Sequence, residues 1–257
     1  MKGAYAIFKR EVLSYLVSPM AYSAVAAFLV LGAYFFFSLL EYYHELLERV
    51  SSMPVGFIDK APNLNQDIVE PYYQSLMILF VFIIPLFTMR LISEERRSGT
   101  FEYLVISPSS AFGIVLGKFL GAAVLGTLLV LVSFGFPLTL CIFAEPEIPP
   151  MLAGLLGLFL YTLSFISIGL AISAMTSSPF IGALSGMVTL LLLYLIHTPA
   201  ERLGGAAAQV LVYLSPALNA REMAQGIISS DKIIYFLSLI TVGLFFASRS
   251  LDAQRWR

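Results

Sequence analysis

The sequence predicts an all-α, polytopic membrane protein with six transmembrane helices, and three observations carry that prediction. Apolar residues make up 59% of the chain against 12% charged, with mean hydropathy +0.88, well beyond the roughly 45–50% apolar of soluble domains. Charge is absent over runs long enough to cross a bilayer, which takes roughly 20 apolar residues. The charges that remain are sorted by sign: a near-neutral total of −1 hides a basic side and an acidic side.

The elements follow in order. Residues 3–18 place Ile7, Phe8, Val12, Tyr15 and Leu16 on roughly one helical face, with Lys9, Arg10 and Ser14 elsewhere. This predicts a helix lying at the cytoplasmic interface until Pro19 turns the chain upward. Glu11 and Glu41 enclose 29 uncharged residues, giving span one at about 20–40. Residues 41–70 form a long acidic outer loop, broken by Pro54, Gly56, Pro62 and Asn63. Glu70 and Arg90 enclose 19 uncharged residues, giving span two at about 72–92. Lys118 and Glu145 enclose 26, giving span three at about 111–141. The 53 residues between Glu147 and Glu201 suit two spans, 150–175 and 179–197, with a tight turn at Met175–Pro179. Lys232 and Arg249 enclose 16, enough for a sixth span at 231–249 if both cations snorkel.

Between spans five and six, residues 199–230 are a second long outer segment. Gly204-Gly205, Ser215-Pro216 and Asn219 argue against a full crossing there. Two short re-entrant helices are expected, the later one capped by Asn219 and ending near Gly226. Ser215, Pro216, Asn219 and Gly226 are the candidate outer-gate residues. No repeat relates spans one to three to spans four to six. The whole chain, 1–257, reads as a single membrane domain. No cleavable signal peptide is expected, and the lone Cys141 reads as a packing residue.

Orientation follows the Lys and Arg bias. Six spans put ten of the fifteen cations on one side, with both termini and residues 90–118, and eleven of the sixteen acids on the other. The basic side is expected to be cytoplasmic. Those cations form no continuous groove, so nucleic acid is not an expected partner.

Known chemistries meet little support. His44-Glu45-Leu46-Leu47-Glu48 holds only the first half of H-E-x-x-H. Glu94-Glu95 is followed by Gly99 where an EExxxR protease pattern needs arginine, and Ser185 lies in Ala183-Leu184-Ser185-Gly186 rather than G-x-S-G. No Asp, Glu, Lys or Arg is expected in the interior of a span, which argues against ion coupling. Gly113–Lys118 has the wrong spacing for a phosphate loop and lacks its hydroxyl. No catalytic residue, metal site or cofactor is therefore assigned to this chain, and ATP hydrolysis would belong to another polypeptide.

One stretch stands out. Residues 89–108, MRLISEERRSGTFEYLVISP, concentrate both signs of charge between two apolar runs. Thr100 can cap a short helix over Phe101–Ile106, Glu102 sits near its positive end, and Pro108 stops it. The run ISEERRSGTFEYLVISPSS with the following IVLGK resembles the stretch between spans two and three of ABC-2 type permease subunits of ATP-binding cassette transporters. Pro85, Met89-Arg90, LSP at 214–216, Gly226 and YFLSL at 235–239 extend the resemblance over the chain. It is most similar to bacterial permeases of gliding-motility or copper-enzyme-maturation type.

The resemblance implies a permease in the bacterial cytoplasmic (inner) membrane, with both termini cytoplasmic. It implies pairing with a second permease subunit, identical or related, and with two nucleotide-binding subunits that hold ATP and Mg. It also implies that segment 93–108 contains a coupling helix docking on the ATPase. Glu94, Glu95, Arg96, Arg97 and Ser98 would lead in, Gly99 and Thr100 would turn, and Phe101, Glu102 and Tyr103 would present the docking face. A membrane scaffold with the same helices and no transport is the alternative, and an intramembrane protease a third.

Overall fold

The computed structural model describes residues 2–52, 62–99, 110–200 and 204–255. Every regular element among them is helical: α1 (Lys2–Val17), α2 (Pro19–Ser52), a π-helical turn (Asn65–Val69), α3 (Glu70–Thr88), α4 (Ser93–Arg97), α5 (Ala111–Phe143), α6 (Ile148–Met175), α7 (Pro179–Leu195), α8 (Gly205–Tyr213), α9 (Pro216–Ala224) and α10 (Ser230–Arg255).

Among the described residues, five segments are long and apolar enough to cross a membrane: α2, α3 with its flanking turns, α5, α6 and α10. Helix α7, the fifth span expected from sequence, is apolar but has only 17 residues. The chain is therefore a multi-pass helical membrane protein, with five helical segments among the described residues that meet the length requirement outright.

Six helices nonetheless alternate in direction. Phe28 of α2 stacks on Phe80 of α3 and Phe36 on Tyr72, so these two helices are antiparallel. The Tyr73 hydroxyl donates to the Met151 carbonyl at 3.0 Å, and Ser173 meets Met89, so α3 and α6 run together. Tyr72 reaches the Ser133 carbonyl near the far end of α5. Helix α7 passes Met89 at Gly182 and Pro85 at Gly186, opposite to α3. Helix α10 ends with Ser250 bonded to Ala174, alongside α6.

Helices α3 and α6 form the centre, with 72% and 67% of their apolar windows buried, against 22% for α2. Both carry hydrophobic residues all round, as a buried helix requires. The outer helices expose Val30, Tyr34, Phe37, Leu184, Val188 and Leu192 on faces that suit lipid.

Two loops expected from sequence are partly helical. At about 1.5 Å per residue the 34 residues of α2 extend about 50 Å, well past a hydrocarbon core of about 30 Å. The acidic start of the first outer loop thus continues the helix to Ser52, with Arg49–Glu45 and His44–Glu48 pairs one turn apart. In the second outer segment, Ser215 rather than Asn219 caps α9. Its Oγ accepts from Leu218 N at 3.3 Å and Pro216 fills the first helical position, where a missing N–H costs nothing.

A buried junction behind the charged block

The block after α3 is built by a helix of five residues whose neighbouring side chains point to opposite sides. Glu94 and Arg97 lie exposed, while Glu95 and Arg96 turn inward. Arg90 Nε faces Glu94 at 3.8 Å on the outer side. Ser98 Oγ donates back to the Glu94 carbonyl at 2.9 Å, and Gly99 turns the chain with φ +72°, a conformation that favours a residue without Cβ. Thr100 of the expected turn, and Phe101, Glu102 and Tyr103, the expected docking face, lie outside the described residues.

Glu95 enters a four-charge cluster. Lys118 Nζ sits 3.0 Å from Glu95 Oε1 and donates to Glu11 Oε1 at 2.6 Å. Arg10 also donates to Glu95 and lies 3.6 Å from Glu11. Two cations and two carboxylates make the group neutral, which a site with Lys118 only 1% exposed demands. A cleft of ≈ 380 Å³, lined by Arg10, Glu11, Arg90, Glu94, Glu95 and Lys118, opens beside it.

Close packing brings these charges together. Helix α1 crosses the foot of α5 over Gly117 and Gly121. A Cβ on Gly117 would fall 2.6 Å from the Ala4 carbonyl, and one on Gly121 2.6 Å from Glu11 Cβ. Small residues four apart let two helices touch backbone to backbone. Tyr15 then pins the end of α1 to α3 by donating to the Phe87 carbonyl at 3.2 Å. Burial, then the neighbouring Glu11 charge, pushes its hydroxyl well above the usual phenol range, so it stays a donor.

Arg96 turns the other way, onto the C-terminus of α6. Its guanidinium donates to the Thr176 carbonyl at 3.2 Å and also to the Ala174 carbonyl. A cation on exposed helix carbonyls both satisfies them and meets the negative end of the dipole. Ser250 Oγ adds a donor to Ala174 at 2.9 Å. Ser173 Oγ accepts from Ile92 N at 3.1 Å and Ser93 N at 3.3 Å while donating to Met89 O at 3.1 Å. One short element is thus bonded to α1, α5 and α6, and α10 meets it at Ala174.

Sequence reading missed Glu11, Lys118 and Ser173. Lys118 reads as a boundary cation at the cytoplasmic face, yet it is buried in the third turn of α5. A lysine preceded by Gly117 and followed three residues later by Gly121 was the available signal. Of the outer-gate candidates, Ser215, Pro216 and Asn219 meet at the α8–α9 turn, where Asn219 Nδ2 donates to Tyr213 O at 2.9 Å and Ser215 O at 2.8 Å. Ser215 Oγ also lies 3.2 Å from His197 Nδ1. Gly226, φ +91°, stands apart against Pro150.

No curated protein matches this chain. The profile of ABC-2 family transporter proteins does, over residues 38–248, and that match takes in α3, the charged block, the α8–α9 turn, Gly226 and most of α10. Such membership implies association with an ABC ATP-binding subunit. With well over half of its length matched, the chain belongs to the ABC-2 family of transporter proteins.

Proposed function

We propose that this chain is the membrane-spanning permease subunit of an ABC transporter, related to those of gliding-motility or copper-enzyme-maturation type. In this reading it crosses the bacterial cytoplasmic membrane six times, with α7 as the short fifth span and both termini in the cytosol. Two separate nucleotide-binding subunits hydrolyse ATP with Mg, and this chain is not itself an enzyme. It pairs with a second permease subunit and exports its substrate. Residues 93–108 receive the movement of the ATPase, with Glu94, Arg97, Phe101, Glu102 and Tyr103 facing the partner.

The observation that supports this best is the wiring of the block. Glu95 is ion-paired to Lys118 beneath α1, and Arg96 is bonded to the last carbonyls of α6. A push on this element is therefore passed to the interfacial helix and to one of the two central helices. A plain orientation signal needs cations, but it needs neither the inward carboxylate nor the helix-end bonds.

The test is reconstitution with the ATP-binding partner. Phe101→Ala and Glu102→Lys should leave the membrane fold intact and reduce co-purification of the partner, or transport per ATP hydrolysed. An interfacial aromatic hot spot costs about 1–4 kcal/mol when truncated. If both variants assemble and couple like the parent, the block only orients the chain. If no ATPase responds to the permease at all, a membrane scaffold replaces the transporter.

A further inference from the structure

Helix α1 floors an apolar groove of ≈ 860 Å³ on the outside of the bundle, walled by α5 and by Phe159 and Leu163 of α6. The groove follows α5 from Leu116 to Leu131. At about 1.5 Å per residue that is about 22 Å, against about 15 Å for one leaflet of a hydrocarbon core of about 30 Å. Leu120, Val124, Leu128 and Leu131 line it about one turn apart and are 43%, 45%, 50% and 56% exposed. Thr127 makes no polar demand on an occupant, because its hydroxyl donates to the Ala123 carbonyl of its own helix at 2.7 Å. Val124 and Leu128 also line a smaller apolar cleft of ≈ 130 Å³ together with Leu16 and Tyr22. Two clefts sharing one wall suit a molecule with two chains.

The floor selects the occupant. Ala4, Tyr5 and Phe8 of α1 close the groove at one end, where α1 lies over Gly117 and Gly121. A membrane-crossing helix, from a second copy or from another protein, has to continue past that level and would collide with α1. An acyl chain ends there, at the glycerol and phosphate of its own lipid.

The rim selects the headgroup. Tyr5 is 68% exposed and its ring centre lies 6.2 Å from that of Phe8, an aromatic pair of the kind that sits at headgroup level. Lys9 follows Tyr5 by one turn, stands exposed and makes no ion pair among the described residues. The adjacent charges are committed elsewhere: Arg10 faces Glu95, and Glu11 faces Lys118. The described lining of the groove holds no Asp or Glu. A lysine stem can lie along apolar surface with its ammonium among the headgroups, and this one is complementary to a net negative charge.

We propose that this groove is a binding site for an anionic phospholipid, with an acyl chain along α5 and the headgroup phosphate on Lys9. This goes beyond the permease reading and rests on the membrane-spanning fold alone. Trp256 is the single tryptophan, so Trp256→Phe combined with Leu128→Trp puts one fluorophore in the groove. The full chain is placed in phosphatidylcholine vesicles containing brominated phosphatidylglycerol or brominated phosphatidylcholine of the same chains, and quenching reports which lipid occupies the site. Phosphatidylglycerol is expected to compete about fivefold better, the worth of one lysine beside anionic lipid. Lys9→Gln should remove that preference, and a reporter at Val30→Trp, on the exposed face of α2, should show none. Should Leu128→Trp fail to insert, Val124→Trp reports on the same wall. Equal quenching by the two lipids overturns the proposal, as does a preference that survives Lys9→Gln or is matched at Val30. Quenching by neither lipid means that protein covers the groove, and overturns it equally.

Discussion

Replacing Lys118 by Met removes one charge from a neutral group of four and keeps most of the side-chain volume. Nζ lies 2.6 Å from Glu11 and 3.0 Å from Glu95, so Glu11 loses its nearest cation and Glu95 one of its two. Their side chains are only 12% and 14% exposed, and water can screen them little. Breaking a buried pair from one side costs about 3–5 kcal/mol. Arg10 remains beside both carboxylates, which reduces this. The expected loss is about 2–4 kcal/mol, or a fall in Tm of about 5–15 °C in a thermal unfolding assay of the purified protein. Adding Glu11→Gln to Lys118→Met should recover part of the loss, since it removes an orphan. A variant within 1 °C of the parent, or a double variant worse than the sum of its singles, refutes the idea that this cluster holds α1 to the bundle.

Gly121→Ala forces a methyl to within 2.6 Å of Glu11 Cβ. It should cost about 1–3 kcal/mol and expose α1 to proteolysis, read as earlier cleavage before residue 18. Ser173→Ala leaves the Ile92 and Ser93 N–H groups without their acceptor. A loss of about 1–3 kcal/mol is expected, with a larger drop in partner-stimulated ATPase activity than Ser185→Ala produces; equal effects of the two would detach the α6 terminus from coupling. Ser215→Ala removes the cap of α9 and should lower stability by about 0.5–2 kcal/mol, whereas Asn219→Asp, which loses both donors to Tyr213 and Ser215, should be at least as harmful. Topology is tested in a Cys141→Ala background: cysteines placed at 97 and 255 should stay unlabelled by impermeant reagent on intact cells, and labelling of either from outside ends the six-span topology.

The helices were legible because bilayer physics writes them plainly. Uncharged runs bounded by single charges mark α2, α3, α5, α6 and α10, and Ser178-Pro179 separates α6 from α7. Depth was not legible. Lys118 and Glu70 look like boundary charges in one dimension, and only the fold reveals that each is buried by partners 107 and 151 residues away. The charged block stood out through its composition. That Glu95 and Arg96 face inward, while Glu94 and Arg97 face out, depends on the bend after Thr88, which no periodicity over five residues can report. Asn219 misled for a local reason: Ser215-Pro216 four residues earlier is the stronger start, since proline at the first position leaves the serine hydroxyl the natural acceptor.

The four-charge cluster also has a history in time. Arg10 and Glu11 leave the ribosome first, Glu95 later, and Lys118 last of all. At about 5–20 residues per second, Glu11 waits roughly 5–20 s for the lysine that neutralises it. Throughout that interval α1 must stay at the aqueous boundary, because its carboxylate has no partner able to draw it inward. The arrival of α5 is thus the event that lets the amino-terminal helix settle, and assembly of this end of the bundle is ordered by synthesis itself.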